Sequence, residues 1–269
     1  MPTASHAAPA PGLTLWTLEE RPDLTPDLLA LAPRAWPLFI LADDVSLRAY
    51  DALFAPPFTA FQFVFCEQGT VIAAGQAIPL VWDGTLEGLP QGWDGALLQG
   101  VADQRAGRPP SALSALAATI DPAYQGRGLS QRIIRAMKTL AAEHGLRDLI
   151  APVRPWLKAR YPLIPIEQYM AWRRADGSPF DPWLRTHWRV EAEFLRAEPA
   201  SMQVTGTVAE WEAWTEMRFP ESGNYVVPGA LVPVTIDCAR DQGRYVEPNI
   251  WMRHRLAAPD EEARLARQR

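Results

Sequence analysis

Six residues, Gln125 to Ser130, have the types and spacing of an anion-binding loop. Gly126 and Gly128 let the backbone turn sharply and come close to a ligand. The loop opens a segment with helical periodicity, so its amides are expected to be the unpaired donors of a helix N-terminus. Arg127 adds a full positive charge. The pattern therefore predicts a site for a phosphate or diphosphate.

Two strands and a helix are expected to position this loop. The apolar run Ala115 to Ile120 is typical of a strand buried on both faces. Gln131 to His144 carries apolar residues at helical spacing, and Gly145 is a stop signal. Asp148 to Val153 predicts a second buried strand. The order strand, helix, strand favours a parallel pair with the loop at its carboxyl end.

The loop sequence excludes two common nucleotide motifs. It has neither the Gly-Lys-Ser/Thr ending of a Walker loop nor a Gly-x-Gly-x-x-Gly pattern. Gln125-Gly126-Arg127-Gly128-Leu129-Ser130 does fit Arg/Gln-x-x-Gly-x-Gly/Ala, with Ser130 in place of the last glycine or alanine. In this strand-loop-helix setting it resembles the coenzyme A pyrophosphate loop of the GNAT N-acetyltransferase superfamily.

The resemblance implies a fold, a co-substrate and a reaction. The fold is α/β, with a mixed, mostly antiparallel sheet, a central parallel strand-helix-strand unit and helices on both faces. Acetyl-coenzyme A is expected as co-substrate, with its diphosphate on residues 125–130 and its arm between splayed parallel strands. A backbone amide near Ala118, Thr119 or Ile120 would polarise the acyl carbonyl. The acceptor would be a small-molecule or peptide amine that attacks directly.

The stretch after the second strand supplies the remaining site residues. The family often has Asn at the strand's end, a small residue three positions later and Tyr seven positions later; here these are Arg154, Leu157 and Tyr161. The resemblance nominates Tyr161 as the general acid for the leaving thiolate, and Arg154 as a cofactor-binding residue. A capping aromatic before Pro162 is the structural alternative for Tyr161. No general base is assigned. Water is one alternative, and the carboxylates in loops are Asp43, Asp44, Asp103 and Glu167.

The rest of the chain predicts one domain. Helices are expected near 25–32 and 46–54, an antiparallel hairpin over 58–83 with a bulge at Gly75, and a helix over 93–105. A single GNAT-like domain would span residues 13–258, with an insertion near 163–200 and a C-terminal hairpin beside the second parallel strand. Residues 1–12 and 259–269 are expected to be a disordered tail and a frayed tail.

Composition narrows the class of protein. A net charge of −5 argues against a nucleic-acid partner or an anionic membrane surface, and no apolar run is long enough to span a bilayer. Cys66 and Cys238 cannot form a disulfide framework, and no cluster has metal-ligand spacing. A cytoplasmic enzyme without a metal is expected, and a homodimer is compatible with the sequence. The 11 tryptophans are unusually many, and those near loops could line an acceptor pocket.

Three functions compete at this point. The first is a coenzyme A-dependent N-acyltransferase, most simply one that moves an acetyl group. The second is a catalytically inactive coenzyme A-binding or regulatory protein, for which the changes at Ser130, Arg154 and Leu157 leave room. The third is a structural protein whose glycine turn binds nothing. Binding of acetyl-coenzyme A separates the third from the others, and thiol release with an amine separates the first two.

Overall fold

The computed structural model describes residues 12–256. The helices are α1 (Thr25–Ala35), α2 (Ser46–Ala49), α3 (Gly92–Arg105), α4 (Leu129–Glu143), α5 (Ile166–Met170), α6 (Pro182–Arg189) and α7 (Val208–Thr215). The strands are β1 (Leu13–Thr17), β2 (Gln62–Glu67), β3 (Thr70–Leu80), β4 (Ala112–Ile120), β5 (Asp148–Val153), β6 (Glu193–Gly206), β7 (Gly223–Tyr225), β8 (Val234–Asp237) and β9 (Gln242–Arg255). The expected terminal tails lie outside the described residues, apart from Gly12.

All described strands belong to one sheet, in the order β1-β2-β3-β4-β5-β9-β8-β7, with β6 paired to the other edge of β9. The β4–β5 pair is parallel and every other pair is antiparallel. This confirms the expected mixed sheet with one central parallel unit. The C-terminal strand β9 lies beside β5, where the resemblance placed a hairpin.

Helices cover both faces of the sheet. Helix α4 buries Ile133, Ile134 and Met137 against one face, with α6 beside it; we call this the α4 face. The opposite face carries α1, α3 and α7, with Trp93, Trp211 and Tyr245 in its core; we call this the α3 face. Alternation along β4 sends successive side chains to opposite faces. A ligand between the strands would therefore meet both layers.

The parallel pair is short, and its strands then separate. Only three register pairs join β4 to β5, from Ala112↔Asp148 to Ser114↔Ile150. At the next residues β4 bulges: Gln76 of β3 faces Ala117 and Ala77 faces Ala115, so Leu116 is the extra residue. A bulge bends its strand and interrupts the ladder. The carboxyl halves of β4 and β5 are left without each other as partners.

Two local predictions were wrong. Gly75 is not a bulge; it makes room for the Phe63 ring, because a Cβ there would lie 2.1 Å from Phe63 Cζ. The helix expected over 46–54 is a single α-turn, α2, followed by a 3₁₀ turn at Tyr50–Phe54. The peptide bond between Pro56 and Pro57, shortly after this turn in sequence, is cis.

No helix within residues 12–256 combines the length and apolar character needed to cross a bilayer.

Two buried histidines join α6 to β9. Nδ1 of His187 lies 3.0 Å from Nε2 of His254, whose Nδ1 lies 3.3 Å from the Val190 carbonyl. The carbonyl only accepts, so His254 carries its proton on Nδ1 and His187 donates from Nδ1. Burial lowers the pKa of His187 well below its ordinary value and that of His254 to about 4. Both rings are neutral in the folded protein.

This pair predicts loss of stability in mild acid. A histidine in the unfolded chain binds a proton near pH 6.5, whereas the buried histidine does not. The contribution of the pair to the free energy of unfolding is therefore complete above pH 6.5 and is lost as the pH falls towards 4. Each histidine contributes up to about 1.4 kcal/mol per pH unit to that fall. Urea unfolding from pH 7.5 to 5.5 measures it. The double variant His187→Gln/His254→Gln should show a much flatter profile, and equal slopes for parent and variant would contradict the assignment.

Candidate functional site

The loop between β4 and α4 forms an open cradle of backbone amides. Gly126 and Gly128 have φ of 78° and 75°, a conformation that glycine adopts without strain. A Cβ at either position would meet nothing within 4 Å, so the space above the loop is free. Gly128 is the N-cap of α4 and offers no side-chain cap, and no acceptor among the described residues pairs with the amides of Gly126 to Ser130. These donors are available to an anion.

Cationic side chains stand beside this cradle. The guanidinium of Arg127 lies over the Tyr124 ring at 4.7 Å, and Nη1 is 3.4 Å from Glu67 Oε2. The Arg127 side chain is 55% exposed, so it can turn towards a ligand. Arg34 of α1 pairs with the buried Asp121, which also accepts from the Ala123 amide. Asp121 thus fixes the start of the loop. Gln125 is exposed, whereas Leu129, the first residue of α4, is buried.

A cleft of about 320 Å³ opens where β4 and β5 separate. It passes between the strands, because its wall includes residues of both layers. The α4 face contributes Ile134, Met137, Trp183 and His187 to this wall. The strands β4 and β5 contribute residues 115–119 and 151–154. The α3 face and β9 contribute Trp36, Ser46, Tyr50, Gln76, Trp93, Met202, Glu247 and Asn249. The lining therefore extends from α4 and α6 on one side of the sheet to the opposite side.

The bulge in β4 faces this cleft. The carbonyl of the extra residue, Leu116, accepts a hydrogen bond of 2.8 Å from Trp93 Nε1. Thr119 Oγ1 accepts one of 3.1 Å from Trp36 Nε1. Of the residues expected near the acyl carbonyl, Ala118 and Thr119 line the cleft and Ile120 does not. The bulge at Leu116 was not predicted from the sequence, which indicated only a backbone amide near residues 118–120.

Arg154 lies in the cleft wall and is held by a buried carboxylate. Its Nε is 3.0 and 2.9 Å from the two oxygens of Glu247, and Nη2 donates to the Gly229 carbonyl at 2.6 Å. Glu247 also accepts from Tyr245 Oη at 2.9 Å and from Asn249 Nδ2 at 3.3 Å. The carboxylate is fully buried. The ion pair is therefore rigid and faces the α3 side of the cleft.

Tyr161 is not among the residues that line the cleft. Its ring packs on Trp172, with centroids 4.9 Å apart, and near Tyr169 and Phe180. Its carbonyl accepts from Lys158 Nζ at 2.9 Å. The hydroxyl has no hydrogen-bond partner among residues 12–256 and is free to donate. The structure thus brings Ala118, Thr119 and Arg154 to the cleft and leaves Tyr161 in an adjacent aromatic cluster.

The four carboxylates considered as bases do not line the cleft either. Asp44 accepts from the amide and hydroxyl of Thr205, and Asp103 is paired with Arg108. Asp43 accepts from the Ser46 amide at 2.6 Å and lies against Asp94, whose pKa is raised to about 8 by burial and by the charge of Asp43. Glu167 is exposed on α5. Asp43, Asp44 and Asp103 are thus engaged in hydrogen bonds or an ion pair within the protein.

Sequence reasoning missed several residues of the cleft wall. Glu247 and Asn249 alternate with buried apolar residues in β9, and that inward polar pattern was a usable signal. Gln76 of β3 accepts from Tyr50 Oη at 2.6 Å, while its Nε2 is buried without a partner among the described residues. Of the tryptophans considered for a pocket, Trp36, Trp93 and Trp183 line the cleft. Trp93 and His187 come from helices far away in sequence.

The geometry of the site fits coenzyme A. The free amides, the open space above both glycines and the gap between the strands match a diphosphate followed by a long, narrow arm. Among the described residues, no group of three or more His, Cys, Asp or Glu side chains could hold a metal ion.

Comparison with known proteins agrees with this geometry. No protein-family model matches the chain. An arginine N-acetyltransferase of Aspergillus versicolor, avaD, is 31% identical over 275 residues, which cover 91% of this chain and 94% of that protein. This relative favours an acyltransferase over a binding protein without turnover.

Solved structures share the fold at low sequence identity. The loading GNATL domain of CurA from Lyngbya majuscula has a TM-score of 0.56 and 16% identity, covering 90% of this chain and 97% of that one. The GphF GNAT-like decarboxylase in complex with isobutyryl-CoA has a TM-score of 0.53 and 17% identity, covering 91% of this chain and 99% of that one. At such identities the likeness is one of fold. Together with the arginine N-acetyltransferase relative, it shows that the chain belongs to the GNAT superfamily and is a coenzyme A-dependent N-acyltransferase.

Proposed function

We propose that this protein transfers an acetyl group from acetyl-coenzyme A to a nitrogen of a small cationic amine, with arginine as the first acceptor to test. One observation carries the proposal: the cleft runs through the sheet where β4 and β5 part, and connects the α4 face to a chamber on the α3 face. Such a passage lets a thioester and an amine meet from opposite sides. The acceptor is suggested by the relative that is named for arginine.

The loop and the two strands would hold the co-substrate. The amides of residues 126–130 and the charge of Arg127 would bind its diphosphate, and residues 115–119 and 151–153 would flank its arm. Acetyl-coenzyme A supplies an activated acyl group: the amine nitrogen bonds to the acyl carbon, the C–S bond breaks, the amine loses a proton and the thiolate gains one. Near the bulge, backbone amides that are not paired with β5 can orient the acyl carbonyl.

Aromatic rings and one amide would hold the acceptor. Trp36, Tyr50 and Trp93 line the chamber, and the rings of Tyr50 and Trp93 are stacked with centroids 6.2 Å apart. Guanidinium and ammonium groups bind favourably over such rings. The unpaired Nε2 of Gln76 is a buried donor on the same wall, and its desolvation cost is relieved by an acceptor atom of a ligand.

An acetyl-transfer assay tests the proposal. Purified protein with acetyl-coenzyme A and arginine should release free thiol and yield acetylated arginine, detected by mass spectrometry. Arginine, agmatine, lysine and cadaverine form a first panel, with protein-free and amine-free controls. Absence of thiol release and product with every amine, while acetyl-coenzyme A binds, would reject transfer to small cationic amines.

A carboxylate placed in the cradle should prevent co-substrate binding. Ser130 lies in the first turn of α4, where an acidic side chain stabilises a helix, so Ser130→Glu should fold normally. Because the new carboxylate repels the diphosphate, the affinity for acetyl-coenzyme A, measured by calorimetry, should fall by at least about tenfold. Ser130→Gln has the same size without the charge and should remain within a few-fold of the parent. Equal affinities for the two variants would rule out a diphosphate at this loop.

The role of Tyr161 as general acid stays a prediction. Its support is the spacing from the end of β5 and its unpaired hydroxyl. Tyr161→Phe should then lower kcat by about 10²-fold or more without changing acetyl-coenzyme A affinity. Tyr169→Phe is the matched control in the same aromatic cluster, because its hydroxyl donates to Asp181 at 2.8 Å and serves packing. An unchanged kcat in Tyr161→Phe would remove the role.

A cytoplasmic location and a homodimeric state also stay predictions. The free thiols of Cys66 and Cys238 are compatible with a reducing compartment. Fractionation of cells that express the protein tests the location. Light scattering across a range of protein concentrations tests the dimer.

A further inference from the structure

We propose that Arg154 binds the carboxylate of the acceptor, so that the preferred acceptor is an amino acid and not its decarboxylated amine. This inference rests on the proposed function, because it concerns which amine enters the chamber. It assigns to Arg154 a role on the acceptor, in place of the cofactor role that the sequence suggested.

Arg154 has donors to spare. Its bonds to Glu247 use Nε, and its bond to Gly229 uses one hydrogen of Nη2. The Tyr245 hydroxyl also accepts from the guanidinium, which has five N–H groups, so two of them have no partner among the described residues and are left for a ligand. Two such N–H groups form the planar fork that matches a carboxylate. The side chain is 17% exposed, and it lines the cleft.

The position of Arg154 separates it from the coenzyme phosphates. Val153 and Ala151 point to the α4 face, where they pack with Leu184 and Ile166. Alternation therefore sends Arg154 to the α3 face, where Glu247 and Tyr245 meet it. The amide cradle begins α4, on the other face of the sheet. The part of a coenzyme arm that reaches the strands is uncharged, so the N–H groups of Arg154 that Glu247 does not use face the side of the cleft that would hold the acceptor.

The surroundings keep the charge in place. Burial opposes the charge of Arg154, but attraction to Glu247 holds its pKa above the ordinary value. Glu247 is itself fixed by Tyr245 and Asn249. Buried ion pairs are weak contributors to stability, so a rigid one in a cleft wall is better explained by recognition.

Arginine and agmatine provide a matched test, because agmatine is arginine without its carboxylate. The wild type should use arginine with a kcat/KM about ten- to a hundredfold above that of agmatine, the range of a charge-assisted contact. Lysine against cadaverine is a second pair. In Arg154→Gln/Glu247→Gln, which removes both buried charges together, each ratio should fall to about one. Arg154→Lys keeps a charge without the fork and should give an intermediate ratio.

Binding of the same pairs, measured by calorimetry in the presence of coenzyme A, supplies a readout that does not depend on turnover. A ratio within one variant is insensitive to the fraction that is correctly folded. Transfer to arginine and agmatine with equal efficiency, or a preference that survives in the double variant, would overturn the role of Arg154 and leave the proposed function standing. If no amine in the panel is acetylated or bound, the proposed function fails together with this inference.

Discussion

The early end of hydrogen bonding between β4 and β5 is the constraint on which the site depends. Three register pairs hold the strands together, and the extra residue Leu116 then bends β4 away. Unpaired backbone groups in a sheet interior are costly unless a partner satisfies them. Trp93 satisfies one of them, the carbonyl of Leu116. The remaining groups face a cleft, and a ligand with its own amides can take the place of the missing strand pairing.

The two helical layers on either side of this gap carry different features. The α4 face carries the amide cradle at Gly126 and Gly128, and the α3 face carries the aromatic chamber and the Arg154–Glu247 pair. A sheet with one open seam therefore separates the amide cradle, where we propose the diphosphate, from the aromatic chamber, where we propose the acceptor. The buried histidines fasten α6 to β9 beside the seam, which keeps this wall fixed at neutral pH.

Local patterns were enough to predict the central unit, and long-range contacts explain what they missed. The strand, glycine loop and helix at 115–145 could be predicted because hydrophobic periodicity and turn residues are visible within a few consecutive positions. The bulge at Leu116 depends on Trp93, which lies more than twenty residues away, and no local pattern encodes that bond. The sequence nominated Arg154 as a cofactor-binding residue, but it gave no sign of the partner Glu247, on a distant strand, that holds the side chain on the α3 face. A glycine within a strand often marks a bulge, and Gly75 was interpreted in that way. Its actual role is to make room for the ring of Phe63, which lies on the neighbouring strand and is not adjacent in sequence.

The most direct test of this account is a crystal structure of the protein with coenzyme A. The account predicts density for the diphosphate on the amides of Gly126 to Ser130, with the arm between residues 115–119 and 151–153 and the thiol near Leu116. Coenzyme bound elsewhere, or a seam closed by side chains with the cradle empty, would contradict it.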